Sequence, residues 1–97
     1  MHLVEIFLPT TFPDGRKVGD EIWHRVRSEL VEKFGGLTAH DRAPAEGIWK
    51  GVRDQILIVD VMCDELDRDW WAAFRTRLEA LFDQEEILIR ATTVDRL

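Results

Sequence analysis

The feature that most constrains this chain is a nearly continuous apolar run at residues 55–63, QILIVDVMC. A short run this rich in Ile, Leu and Val is typical of a central β-strand that is covered on both faces. A second run at residues 2–8, HLVEIFL, combines β-branched and aromatic residues and also predicts a strand. The fold therefore has to supply other elements that cover these two strands.

Two segments carry apolar residues at helical spacing. The first covers residues 20–34, with Asp20 at its positive N-terminal end and glycines at positions 35 and 36 to stop it. The second is predicted to begin at an Asp64 cap and to run to about Asp83. Its buried face is predicted from residues that recur every fourth position, namely Leu66, Trp70, Phe74, Leu78 and Phe82.

The remaining segments give weaker signals. Alternation at residues 37–42 predicts a weak edge strand, and the Pro- and Gly-containing stretch 43–47 predicts a loop. Residues 48–50 are expected to extend the sheet before a turn at 51–54. Residues 86–94, EILIRATTV, predict the last strand.

The predicted order is strand, helix, strand, strand, helix, strand. Two β-α-β units in tandem give a four-stranded antiparallel sheet with both helices on one face, the ferredoxin-like α+β arrangement. The usual strand order puts the first and third strands in the centre, and these are the two most apolar segments. With 97 residues, the chain is expected to form a single domain over residues 1–97.

Both faces of the two central strands carry apolar side chains. The face expected to meet the helices is wholly apolar and includes Val4, Ile6, Leu8, Leu57, Val59, Val61 and Cys63. The opposite face still carries Leu3, Phe7, Ile56, Ile58 and Met62. Soluble monomers rarely expose a contiguous apolar patch above a few hundred Å². We therefore expect a homodimer that packs sheet against sheet through a two-fold interface.

Charged side chains are predicted on that same second face. Glu5 and Asp60 lie in the middle of the central strands, and His40, Arg42 and Arg90 are expected beside them. Because isolated buried charges are costly, we expect Glu5 to pair with Arg90, and Asp60 with His40 or Arg42. One interpretation is a salt-bridge network that fixes strand register. The other is a polar pocket in which His40 or a carboxylate acts as general base.

Candidate ligand-binding residues are concentrated in the segment 42–50. Arg42, Glu46, Trp49 and Lys50 combine charge with an aromatic ring around a Pro and a Gly, and loops on rigid scaffolds often carry function. The alternative is a hairpin whose Trp anchors it to the core. Trp71 is predicted at the margin of the second helix's apolar face, where it lines a ligand cleft or caps the core. Arg90 is the remaining candidate.

Charge and composition exclude some classes of function. The net charge of −6 and pI near 5.0 argue against nucleic acid or an anionic membrane as partner. The lone cysteine, Cys63, cannot form an internal disulfide, and the first apolar stretch is too short and polar for a signal peptide. We therefore expect a cytoplasmic protein. No metal-ligand spacing or phosphate-binding loop is recognisable, so no metal or cofactor is expected.

Short pieces spread over most of the chain resemble a small uncharacterised bacterial protein family, a domain of unknown function. The matching pieces are Pro13-Asp14-Gly15, Trp23, Phe34-Gly35-Gly36-Leu37-Thr38, Gly47-Ile48-Trp49 and Phe82-Asp83-Gln84-Glu85. This resemblance implies no activity and no site residues. At the level of fold, the chain also resembles the dimeric α/β-barrel proteins, which include small monooxygenases, heme-degrading enzymes and ligand sensors. That second resemblance implies functions only by analogy.

Three hypotheses follow. The first is a cytoplasmic homodimer that binds a small organic ligand. The second is a cofactor-light, monooxygenase- or isomerase-like enzyme of the dimeric-barrel type that uses His40 with Glu5 or Asp60. The third is a structural or partner-binding domain without a pocket. A cavity of a few hundred Å³ reached by the candidate residues favours the first hypothesis over the third.

Overall fold

The computed structural model describes residues 1–39 and 56–97 in full, and the backbone of residues 45–49 and 52–55. The elements, in chain order, are β1 (His2–Pro9), α1 (Asp20–Phe34), β2 (Thr38–Ala39), β3 (Ala45–Trp49), β4 (Val52–Cys63), α2 (Arg68–Leu81) and β5 (Ile89–Thr93).

The described strands form one antiparallel sheet in the order β2-β4-β1-β5, with β3 also paired to β4. β1 and β4 are in register from the pair His2 and Cys63 to the pair Pro9 and Ile56. β2 pairs with β4 at residues 59–60, whereas β3 pairs with it at residues 52–56, so the two short strands bond to different stretches of β4. The two most apolar strands are central, as predicted, and the arrangement is ferredoxin-like.

The core lies between one face of the sheet and the two helices. Val4, Ile6 and Leu8 of β1 are buried, and so are Val59, Val61 and Cys63 of β4. Leu30 of α1 and Phe74 of α2 belong to the same cluster and are fully buried. The predicted division of the strands into a helix-covered face and a second face is therefore confirmed.

The first helix has the predicted bounds. It follows Gly19, begins at Asp20 and ends at Phe34. Gly35 has a φ of 84°, which is the left-handed conformation that a residue without a Cβ adopts at low cost. Its backbone N–H donates to the Val31 carbonyl at 2.7 Å and closes the last turn.

The second helix begins later than predicted. The cap is Asp67 and not Asp64, because the Asp67 side chain accepts a hydrogen bond from the Trp70 backbone N–H at 3.1 Å. The helix ends at Leu81, and Phe82 is fully buried just beyond it. Its rotation also differs from the prediction, since Trp71 is buried in the core and Trp70 is only half-buried.

Strand pairing overrides several local predictions. Residues 45–47 belong to β3 and not to a loop, and Arg53 and Asp54 belong to β4 and not to a turn, because the two segments pair as antiparallel neighbours. The strand predicted at 37–42 is seen at Thr38–Ala39, and its remainder lies outside the described residues. β5 begins at Ile89, three residues after the predicted start at Glu86.

Candidate functional site

A row of polar side chains crosses the second face of the sheet. The register places Thr38, Asp60, Glu5 and Arg90 side by side on β2, β4, β1 and β5. The Arg90 Nε donates to the Glu5 carboxylate at 2.9 Å, and the Arg90 guanidinium lies 5.0 Å from the centre of the Phe7 ring. The predicted Glu5–Arg90 pair is thus confirmed, and it ties β1 to β5.

Apolar side chains lie on both sides of this row. Phe7 pairs with Ile58, Leu3 pairs with Met62, and Ile56 lies opposite Pro9. The Phe7 backbone N–H donates to the Leu88 carbonyl at 3.0 Å, which puts Leu88 beside Phe7 on the same face. We call this surface the open face; its apolar members are Leu3, Phe7, Ile56, Ile58, Met62 and Leu88. Leu88 was missed from sequence, although it alternates with the core residue Ile87.

Of the three candidate catalytic residues, Glu5 and Asp60 are paired neighbours on β1 and β4. His40 and Arg42, the expected partners of Asp60, lie outside the described residues. Glu5 is engaged by Arg90. This contact has the geometry of the structural interpretation, in which an ion pair fixes strand register.

A cleft of about 260 Å³ lies between α2 and β5. From the α2 side it is lined by Leu66, Arg68, Trp71, Ala72 and Arg75. From the sheet it is lined by Ile89, Arg90 and Ala91 of β5, together with Val4 of β1. We call this feature the α2–β5 cleft.

Two of the predicted ligand-binding residues, Trp71 and Arg90, line this same cleft. Lys50 lies outside the described residues, as do the side chains of Glu46 and Trp49, whose backbone belongs to β3. The sequence interpretation did not single out Arg68 or Arg75. Their spacing could have indicated them, because residues 68, 71, 72 and 75 lie on one face of a helix.

Trp71 gives the cleft a rigid apolar wall. Its side chain is 7% exposed and stacks on Phe34 with ring centres 5.2 Å apart and planes 11° apart. Phe74 meets it edge to face with ring centres 5.7 Å apart. These contacts hold the indole in place as the apolar wall of the cleft.

The β5 side of the cleft is a sheet edge. Hydrogen-bonded pairs alternate along antiparallel strands, so two known bonds identify the others. The Phe7 N–H donates to the Leu88 carbonyl, and the Val94 N–H donates to the Met1 carbonyl. Arg90 therefore bonds to β1, whereas the main-chain groups of Ile89 and Ala91 point away from it. No other described strand pairs with this edge. Because the Arg90 guanidinium is bound to Glu5 on the open face, Arg90 borders the cleft through its main chain.

Cys63 is a buried titratable residue that does not line the cleft. Burial raises the pKa of the Cys63 thiol, and the neighbouring Asp64 carboxylate adds to this effect. Within the described residues, no group of three or more His, Cys, Asp and Glu side chains could hold a metal ion. Over the same residues, neither helix is sufficiently long and apolar to cross a lipid bilayer.

Comparison with known proteins supports the fold. No protein-family model matches the chain, and no curated protein sequence matches it. The resemblance to a small bacterial family is therefore not supported by a family model. Among solved structures, the chain is similar to a divalent cation tolerance protein (Cut A1) from Thermus thermophilus. That structure has a TM-score of 0.60 and 20% identity, over 99% of this chain and 86% of that one. A likeness at this identity carries the ferredoxin-like fold and nothing further.

Proposed function

We propose that this protein binds a small organic molecule in the α2–β5 cleft and forms a homodimer through the open face. Ligand binding is supported by the cleft itself, a solvent-open space of about 260 Å³ beside the stacked ring of Trp71. Ligand sites are typically concave, largely apolar and supplied with a few polar groups, with volumes from about 300 Å³ upwards. The α2–β5 cleft is slightly smaller than this range and has room for a ligand of one or two rings.

The cleft residues are not explained by core packing alone. Arg68, Ala72 and Arg75 are exposed and border the cleft beside Trp71, which is 7% exposed. A larger side chain at position 72 would fill the cleft without entering the core, which makes this position a direct test. Ala73 is exposed on the same helix and does not line the cleft, so the same substitution there is a matched control.

Native mass spectrometry of protein purified from its natural host tests the first part. We expect a small molecule to be carried by the unmodified protein and by Ala73→Phe, and to be lost from Ala72→Phe. Both variants are checked for the unmodified circular dichroism spectrum. Retention of the molecule by Ala72→Phe, or purification of the unmodified protein without any bound molecule, contradicts ligand binding in the cleft.

The open face supports the second part. Met62 is 44% exposed and Leu88 is 54% exposed, and both continue a surface formed by Leu3, Phe7 and Ile58. Large apolar side chains on both sides of the polar row, on β1, on β4 and immediately before β5, favour a buried role for this face. In a two-fold dimer the open face of one copy packs against the open face of the other, so no different partner is needed. Such dimers are the commonest homo-oligomers.

Single substitutions that introduce a charge test the proposed dimer. Val31 on α1 is 43% exposed, so it matches Met62 in exposure while lying away from the open face. Met62→Lys buries a charge at the proposed interface, and we expect sedimentation velocity to show a shift from dimer to monomer. Val31→Lys is expected to remain dimeric. A monomeric unmodified protein at micromolar concentration, or a dimer insensitive to Met62→Lys, contradicts the proposed interface.

The printed name of the structural neighbour refers to divalent cation tolerance. Its likeness to this chain is a likeness of fold, so the proposal is drawn from the cleft and the open face of this chain.

A further inference from the structure

We propose that the ligand of the α2–β5 cleft is an organic anion. Its carboxylate or phosphate group is bound by Arg68 and Arg75, and its apolar body packs against Trp71. This inference rests on the proposed function, since it names the chemical class that the same cleft receives.

The two arginines are placed on one face of α2. They are seven residues apart, which is about 10 Å along the helix axis, and Trp71 and Ala72 lie between them on the same side. Arginine side chains are long enough for both guanidinium groups to approach one anion from opposite ends of the cleft. A guanidinium fork matches carboxylate and phosphate geometry and gives charge-assisted hydrogen bonds.

Arg68 and Arg75 differ from three other arginines of the structure, which are paired with carboxylates. Arg77 pairs with Glu29, Arg90 pairs with Glu5, and Arg16 pairs with Asp14. Within the described part of the chain, Arg68 and Arg75 have no ion pair, and none of the residues that line the cleft is acidic. Two cations beside an aromatic wall, without an internal counter-ion, are complementary to an amphipathic anion.

The edge of β5 supplies further donors. The main-chain N–H groups of Ile89 and Ala91 point away from β1, at the border of the cleft. Backbone N–H groups are ordinary partners of bound anions, and they carry no side-chain entropy cost on binding. The arginines and the strand edge therefore approach the cleft from its two sides.

The acidic net charge does not oppose this assignment. The charge of −6 belongs to the whole molecule. Asp67 and Asp69 flank Arg68 in the chain but do not line the cleft, and charges farther than about 8 Å are largely screened at physiological ionic strength. At contact distance, the guanidinium groups that line the cleft dominate the interaction.

Three probes of nearly the same shape test the inference by titration of the ¹⁵N-labelled 97-residue chain. The probes are 1-naphthoate, 1-naphthyl phosphate and the neutral 1-naphthamide, followed by two-dimensional NMR. We expect both anions to shift the amide signals of Ile89 and Ala91 and the Trp71 indole signal, and the amide to bind about tenfold or more weakly. The two anions compared with each other distinguish a carboxylate site from a phosphate site.

Substitution identifies the groups that bind the anion. Arg68→Gln and Arg75→Gln each keep a long polar side chain, and each is expected to weaken 1-naphthoate binding about five- to tenfold. Arg27→Gln is the matched control, since Arg27 is exposed on α1 and does not line the cleft. Unmodified spectra away from the cleft establish that the variants fold.

The outcomes separate the two proposals. Equal binding of naphthoate and naphthamide in the cleft, or anion binding unaffected by both arginine substitutions, overturns the anion assignment and leaves a small-molecule site. Failure of all three probes to shift any cleft signal at millimolar concentration overturns the anion assignment together with ligand binding in the cleft.

Discussion

Cys63 shows how one residue's position on a strand sets its chemistry. Its side chain points from β4 into the core, where loss of hydration disfavours the thiolate and raises the thiol pKa. The adjacent Asp64 carboxylate acts in the same direction. Cys63 therefore packs in the core, as its place on the helix-facing side of β4 predicted, and the raised pKa disfavours the thiolate that a nucleophile requires.

This pKa shift predicts a pH dependence of stability. A pKa raised in the folded state contributes stability below the unfolded thiol pKa, near 9.0, and that stability is lost as pH rises through the folded value. We expect the free energy of unfolding of the unmodified protein to fall more steeply above pH 9 than that of Cys63→Ala. Urea denaturation at several pH values measures the free energy of unfolding. If it depends on pH in the same way for both proteins, the raised pKa of Cys63 is contradicted.

Phe74 packs against both Trp70 and Trp71 in the aromatic part of the core. It is fully buried, its ring stacks on Trp70 with centres 4.9 Å apart, and it meets Trp71 edge to face. Phe74→Ala is expected to lower the free energy of unfolding by about 3–5 kcal/mol, because a large cavity opens beneath α2. Val31→Ala, at an exposed helix position, is expected to change it by less than about 0.5 kcal/mol. Urea denaturation of the two variants checks both values.

At the level of elements, the helices differ in how well sequence located them. For α1 the apolar spacing and the following glycines agree, and both bounds are correct. For α2 three aspartates, at positions 64, 67 and 69, compete for the cap, and all are compatible with the local sequence. In the structure Asp67 is the cap, because its side chain accepts from the Trp70 N–H, and the helix rotation buries Trp71 and Phe74 in the core.

The cap assignment is testable with a matched pair. Asp67→Ala removes the hydrogen bond to the Trp70 backbone N–H and is expected to cost about 0.5–2 kcal/mol of unfolding free energy. Asp64→Ala, three residues earlier and outside the helix, is expected to cost clearly less. Equal losses in urea denaturation would show that the cap hydrogen bond does not stabilise α2.

The strands show where local sequence loses information. The alternation in β1 and β4 predicted which side chains enter the core, because a buried face selects apolar residues at every second position. β3 offered no such pattern, with Glu46 and Gly47 next to Pro44, and its existence depends on pairing with β4. Likewise, the α2–β5 cleft joins segments 14 or more residues apart, counted from Arg75 to Ile89, which periodicity alone does not bring together.

At the scale of the whole molecule, the open face and the helix-covered face should respond differently to protein concentration. The Glu5–Arg90 pair lies on the open face, whereas the Arg77–Glu29 pair joins the two helices on the other side. If a second copy covers the open face, only the first pair is taken out of water on association. A charge pair is worth more in a less polar environment once both partners remain bonded.

A double-mutant cycle at two protein concentrations measures this difference. For Glu5→Gln, Arg90→Gln and the double variant, we expect a coupling energy below about 1 kcal/mol in dilute monomer, as for exposed pairs. We expect it to rise at concentrations where the dimer dominates, together with the unfolding free energy itself. The matched cycle on Arg77 and Glu29 is expected to give the same small coupling at both concentrations. A Glu5–Arg90 coupling that stays constant while sedimentation shows a dimer would place the contact between copies elsewhere than on the open face.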